Sequence, residues 1–201
     1  MNTLAAPRTL ADALPWTRWR SAVLVTGGAL LTAGAAQIRI PLGVTPVPIT
    51  GQTFAVLLVA TALGSRLAVA SQALYWALGA MGLPFYAGAA GGWTAATGST
   101  FGYFVGFVLA AAVVGHLAER GQDRSFATAA PAMLAGTAMI YVAGLAWLAH
   151  SLGVPLYTGT GRDAFSYGLA PFLVGDAIKL VVAAVLTPVA WRALARLDAR
   201  G

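Results

Sequence analysis

The segment PFLVGDAIKLVVAAVLTP, residues 171–188, has the composition of a membrane-spanning helix that carries two charged residues, Asp176 and Lys179. Lys179 is also the only lysine in the chain. A charged group near the middle of a membrane helix costs roughly 2.5–3.5 kcal/mol, so such residues usually line a pathway or bind a ligand. Because they stand three positions apart, both side chains lie on one helix face and are expected to enter the same cavity.

The composition of the whole chain agrees with a membrane protein. Of its 201 residues, 59% are hydrophobic and 9% are charged, whereas soluble domains average about 25% charged residues. The chain has no cysteine and only two histidines, which excludes disulfides and the usual zinc sites. We therefore expect one domain that needs no metal or other cofactor.

Six apolar segments, each long enough to cross a bilayer, predict an all-α integral membrane protein with six transmembrane helices. Their approximate ranges are 21–38, 46–63, 67–83, 100–117, 131–152 and 169–191. Placing both termini in the cytoplasm leaves nine arginines on the inner side and only Arg39 and Arg162 outside, as the positive-inside rule requires. The predicted organisation is a cytosolic tail at 1–20, a membrane domain at 21–192 and a second tail at 193–201.

The net charge of +6 does not indicate nucleic-acid binding, because the arginines fall in short segments between apolar runs rather than on one continuous face. Catalysis is not indicated either. The chain lacks a G-x-S-x-G motif, and its lysine follows Ile178 rather than the glycine of a Walker motif. We therefore expect neither an enzyme nor an ATPase, so any ATP-driven step would need another subunit.

Several polar and aromatic residues near the predicted outer side are candidates for a binding site. The uncharged outer segment at 84–99 contains Tyr86 and Trp93, which either cover a ligand or sit in the interfacial aromatic belt. Gln52 either contacts a ligand or hydrogen-bonds between helices. The prolines at 41, 46 and 48 predict a stiff, non-helical lead-in before Gln52.

The Asp176 and Lys179 pair allows two interpretations. In a binding site, the carboxylate would accept from N–H donors and the ammonium group would pair with an anion. Alternatively, the two residues form an internal ion pair that only fixes packing. Ala29 and Ala33 in the first span similarly predict close helix packing, either within this chain or against a partner.

Four stretches together resemble the BioY family, the substrate-specificity subunits of energy-coupling-factor (ECF) biotin transporters. They occur in the family's order and touch nearly every predicted span. The stretches are AQIRIPLGVTPVPITGQTFAVLL (36–58), LYWALGAMGLPFYAG (74–88), GG…GSTFGYFVGF (91–107) and PFLVGDAIK (171–179).

The resemblance implies a six-helix subunit of the bacterial cytoplasmic membrane that captures biotin from outside. Its partners would be a transmembrane coupling protein and two ATPases, although some members of the family act without them. The chain would work either alone or as a homo-oligomer. The ligand would meet Asp176 through its ureido N–H groups and Lys179 through its valerate carboxylate, and Gln52 would line the pocket. Tyr86, Trp93 or Tyr103 would pack on the ring system, and Ala29 with Ala33 would dock the coupling protein.

The sequence departs from the family in two respects. Members often read G-P-T-G-G-Y where this chain has GSTFGY at 98–103. Some members carry an arginine or asparagine in the outer region between the third and fourth spans, and this chain has neither residue between Arg66 and Arg120. A second cation for the ligand carboxylate would therefore be Arg39 or Arg162; without one, Lys179 and backbone donors would bind the carboxylate alone. The other hypotheses are a specificity subunit for another vitamin, a proton-coupled carrier and a structural membrane subunit.

Overall fold

The computed structural model of the chain describes residues 8–13 and 17–198 and is mostly helical. The parts of the predicted tails at 1–7, 14–16 and 199–201 lie outside these residues. The helices are α1 (Arg20–Gln37), α2 (Gln52–Ala80), α3 (Trp93–Ala96), α4 (Phe101–Glu119), α5 (Phe126–Leu152), α6 (Ala164–Gly168) and α7 (Leu173–Asp198). Short 3₁₀ helices cover Leu10–Ala13 and Ala170–Phe172, and two strands, β1 (Arg39–Ile40) and β2 (Ile49–Thr50), form an antiparallel pair.

The predicted all-α membrane fold is confirmed. Among the described residues, four helical stretches are long and apolar enough to cross a membrane: Gln52–Ala80, Phe101–Glu119, Phe126–Leu152 and Ala164–Leu197. The count of six crossings and the cytoplasmic position of both termini stay predictions, as do the three domain boundaries.

The helix α2 is a hairpin rather than one continuous rod. Gly64 interrupts it with φ 75° and ψ 175°, a backbone conformation that is essentially restricted to glycine. Gln52 and Tyr75 would be about 35 Å apart along an unbroken helix, yet Gln52 Nε2 donates a 2.7 Å hydrogen bond to the Tyr75 hydroxyl. The segments 52–63 and 65–80 therefore run back along each other, as expected for the second and third predicted spans.

Several predicted helix boundaries differ from the structure, most of all those of the second and last spans. The second span was expected to begin at about residue 46, but the helix begins at Gln52, because Pro46 and Pro48 lack the N–H that a helix needs and the chain pairs instead through β2. The last span was expected over about 169–191. In the structure, α7 begins at Leu173 and continues to Asp198, and the residues before it form two short helical turns.

The helices pack with α4 between α2 and α5, while α1 packs on α2 and α7 contacts both α2 and α5. Small residues allow the closest approach. A Cβ atom at Gly106 of α4 would lie 2.6 Å from the Cα atom of Ile140 in α5, so this crossing has room only for glycine. One apolar cluster fills the bundle near the 84–99 segment, and a second fills the opposite half around Leu57 and Met133.

Candidate functional site

A cavity of about 440 Å³ opens where the β1–β2 hairpin, the 84–99 segment and the helices α4, α5 and α7 meet. This volume is within the range of about 300–1,000 Å³ that is typical of small-molecule sites. Most of the lining is apolar or aromatic, and Asp176 and Lys179 are the charged groups of its wall together with Arg39. The polar and charged lining residues are Arg39, Thr45, Thr50, Gln52, Thr53, Ser99, Thr100, Asp176 and Lys179.

Asp176 and Lys179 form a direct ion pair at this cavity. Lys179 Nζ lies 2.7 Å from Asp176 Oδ1 and also donates a 2.6 Å hydrogen bond to the backbone oxygen of Thr50 in β2. The Asp176 side chain is 8% exposed and the Lys179 side chain is 20% exposed, so the pair is largely removed from solvent. The single turn between them in α7 brings the two charges together, as their spacing predicted.

Two other helices supply hydroxyl donors to the same carboxylate. Thr53 Oγ1 of α2 donates to Asp176 Oδ1 over 3.1 Å, and the Tyr141 hydroxyl of α5 donates to Oδ2 over 2.5 Å. With Lys179, Asp176 thus accepts three hydrogen bonds of the roughly four that its lone pairs allow. Neither Tyr141 nor Thr50 was predicted from the sequence, although the hydroxyl of Tyr141 in the mostly apolar α5 is a signal for it.

Tyr86 and Tyr103 also line the cavity. The Tyr103 hydroxyl donates to the backbone oxygen of Gly168 over 2.8 Å, and its ring meets that of Tyr141 edge-on at 6.4 Å between centroids. The Tyr86 hydroxyl donates to the backbone oxygen of Trp76 over 2.5 Å, and its ring lies 4.7 Å from that of Phe104. Both phenols are therefore fixed by the chain and present ring surface rather than a free hydroxyl.

Of the remaining predicted ligand contacts, Gln52 lines the cavity and Trp93 does not. The Gln52 amide already bonds within the chain, because Nε2 donates to Tyr75 and Oε1 accepts from Thr50 Oγ1 over 2.9 Å. The Trp93 side chain is 65% exposed, and its ring packs edge-on against Trp76 at 6.1 Å. Whether these residues contact a ligand stays a prediction.

The predicted docking residues on α1 face the interior of this chain. Ala29 and Ala33 are 0% and 7% exposed and belong to the apolar cluster near the cavity. One turn further along α1, the side chain of Gln37 joins the helix to the outer segment: Nε2 donates to the backbone oxygen of Tyr86 over 3.2 Å, and Oε1 accepts from the N–H of Ala89 over 2.9 Å. The coupling role of the two alanines stays a prediction.

Residues 7–196 match the BioY family, a range that contains every residue of the cavity wall. This chain belongs to the BioY family. Among its relatives, the biotin transporter BioY of Thermotoga maritima is 44% identical over 158 residues, which is 79% of this chain and 87% of the relative. The biotin transporter BioY of Rhodobacter capsulatus is 37% identical over 159 residues, or 77% of this chain and 83% of that one.

A solved structure shares the fold of this BioY-family chain. It is a crystal structure of the S-component for biotin from an ECF-type ABC transporter, with a TM-score of 0.71 over 93% of this chain and 96% of the other. The two sequences are 24% identical, so this likeness concerns the fold alone. The family resemblance recognised in the sequence is confirmed.

Proposed function

We propose that this chain is the substrate-specificity subunit of an ECF transporter and that it captures biotin in the cavity at Asp176 and Lys179. The observation that carries the proposal is this pair, because it places one strong acceptor and one strong donor 2.7 Å apart at an otherwise largely apolar site. The related biotin transporters support the choice of ligand. The cavity is lined by the 39–50 and 84–99 segments, both of which the arginine distribution assigns to the outer side of the membrane.

The ureido group of biotin complements this pair. Its carbonyl oxygen and its N–H groups are attached to the same carbon, so one acceptor and one donor of the ligand lie side by side. In this arrangement, Asp176 accepts from a ureido N–H with its remaining lone pair, and Lys179 donates to the ureido oxygen in place of its long 3.5 Å contact with Thr53 Oγ1. Tyr86 and Tyr103 then cover the bicyclic ring with their fixed aromatic surfaces.

This assignment differs from the role that the family resemblance implied for Lys179. Each carbon–carbon bond of the valerate chain is about 1.5 Å long, and several of them in series place the carboxylate several ångström from the ureido ring. Two side chains in direct contact cannot receive both ends of such a ligand. The carboxylate therefore lies away from the pair, toward the opening of the cavity.

Transport requires partners under this proposal. The only lysine of the chain is engaged at the cavity, and no Walker sequence is present, so ATP hydrolysis falls to two ATPase subunits acting through a transmembrane coupling protein. The isolated chain then binds biotin without catalysis. Its location is the bacterial cytoplasmic membrane, where it spans the bilayer several times.

The test is biotin binding to the purified chain in detergent, measured by calorimetry. We expect nanomolar affinity, about −12 kcal/mol, for the wild type, and at least tenfold weaker binding, a loss of about 1.4 kcal/mol, for Asp176→Asn. Asp123→Asn is the matched control, because Asp123 is also a buried carboxylate but does not line the cavity. Its affinity should equal that of the wild type.

Three outcomes would count against the proposal in different ways. A folded wild type that binds no biotin but binds another vitamin would leave a specificity subunit with a different ligand. Biotin binding that survives Asp176→Asn would move the site away from the pair. Biotin uptake that collapses with the proton gradient and needs no ATPase would indicate a proton-coupled carrier instead.

A further inference from the structure

We propose that Arg39 binds the carboxylate of the ligand and makes the site selective for the free acid over neutral derivatives. The inference rests on the proposed function, because it takes the ureido end of biotin to lie at Asp176 and Lys179. Arg39 stands on β1, and its side chain is exposed at the cavity wall. It is one of only two arginines that the predicted topology places outside the membrane.

The charge balance of the cavity favours Arg39 over Lys179 as the anion site. Arg39 and Lys179 are the cationic residues of the described cavity wall. Lys179 is already paired with the Asp176 carboxylate, so the two together present no net charge to an approaching anion. Within residues 8–13 and 17–198, by contrast, no acidic side chain is ion-paired with Arg39. Its planar guanidinium group can donate two parallel hydrogen bonds to one carboxylate.

The strand register places Arg39 at a suitable distance from the pair. Arg39 lies directly opposite Thr50 in the β1–β2 ladder, where facing Cα atoms are about 5 Å apart. The backbone oxygen of Thr50 is the same atom that accepts from Lys179. Arg39 therefore lies one strand farther than Thr50 from Asp176 and Lys179. A ligand whose ureido ring contacts Asp176 and whose chain points toward the opening would bring its carboxylate to this arginine.

The outer segment is shaped around the Arg39 side chain. A Cβ atom at Gly88 would collide with Arg39 Nη1 and lie 3.0 Å from Cζ, so the guanidinium group packs directly on the backbone at this position. Gly88 also has φ +75°, a conformation that residues with a side chain rarely adopt. The adjacent N–H of Ala89 is held by Gln37 of α1 over 2.9 Å. These contacts make Gly88 a positioning residue for Arg39.

The test compares two ligands that differ at the carboxylate, biotin and its neutral methyl ester. We expect Arg39→Gln to weaken biotin binding by about tenfold, the usual scale for a lost hydrogen bond to a charged group, and to leave binding of the ester nearly unchanged. Arg162→Gln is the matched control, because Arg162 is the other outer arginine and does not line the cavity. It should change neither affinity.

A second variant tests the positioning contact. Gly88→Ala should reduce biotin affinity in the same ligand-selective way, because the added methyl group occupies the place of the guanidinium group. The inference is overturned if Arg39→Gln weakens both ligands equally, if it weakens neither, or if Arg162→Gln reproduces the biotin-specific loss. A wild type that binds neither ligand would instead refute the proposed function, so the two failures are distinguishable.

Discussion

Replacing Lys179 with methionine removes the ammonium group and keeps an unbranched side chain of similar length. The substitution deletes the 2.7 Å contact with Asp176 and the 2.6 Å hydrogen bond to Thr50, but it leaves the carboxylate in place with the hydroxyl donors Thr53 and Tyr141. An ion of this kind, buried without its counter-charge, typically costs about 3–5 kcal/mol. We therefore expect Lys179→Met to lower the stability of the ligand-free protein and to weaken biotin binding by at least tenfold, or about 1.4 kcal/mol.

The informative comparison is the double variant Asp176→Asn, Lys179→Met. Removing both charges relieves the uncompensated carboxylate, so the double variant should unfold at a higher temperature than Lys179→Met alone, with a coupling of about 0.5–3 kcal/mol between the two sites. Thermal unfolding in detergent without ligand measures stability, and calorimetry with biotin measures binding. If the double variant is stable and keeps wild-type affinity, the pair serves only packing and our assignment of the site is refuted. An unchanged stability of Lys179→Met would show that Asp176 and Lys179 do not stabilise each other as a buried ion pair.

Two further predictions concern regions outside the cavity. Gly106→Leu inserts a side chain where even a Cβ atom would lie 2.6 Å from the Cα atom of Ile140, and overpacking of this kind costs about 1–3 kcal/mol, which a lower unfolding temperature in detergent would reveal. Burial raises the pKa of Asp123, against the opposing hydrogen bond from Trp191, so the folded protein keeps this proton at a higher pH than the unfolded chain. The stabilisation from that proton is complete below the ordinary carboxyl pKa of about 3.9 and is lost as pH rises through the raised value. Asp123→Asn should flatten this part of the stability profile, and an unchanged profile would contradict the assignment.

The charged pair could be predicted from the sequence because charge is scarce in a membrane helix and therefore conspicuous. The hydroxyl groups that hydrogen-bond to Asp176 could not be predicted in this way. Thr53 and Tyr141 contact Asp176 from two other helices, and their rotation toward α7 depends on how the bundle packs rather than on any local pattern. The same limit applies to Ala29, whose small side chain predicts close packing but does not say which helix it packs against.

The chain reversal at Gly64 shows a second limit. The predicted ranges of the second and third spans, 46–63 and 67–83, place a turn between them, and the structure achieves that turn with one non-helical residue. The turn is completed from a distance, because Glu119 at the end of α4 accepts a 2.7 Å hydrogen bond from the backbone N–H of Ser65. Hydropathy locates such a boundary, but it contains no information about a cap that comes from another helix.

The irregular segments around the cavity follow from the same physical rule that makes the rest of the chain helical. Backbone N–H and C=O groups must be satisfied within a membrane, so non-helical chain is tolerated only where protein or a water-filled cavity surrounds it. Thr50 lies outside the helices, so its backbone oxygen is available to accept a hydrogen bond from Lys179. Pro46 and Pro48 keep the segment before Gln52 non-helical, and this leaves the backbone oxygen of Thr50 available at the cavity. That atom holds the ammonium group beside Asp176, which leaves Arg39, on the facing strand, as the cation available to an anionic ligand.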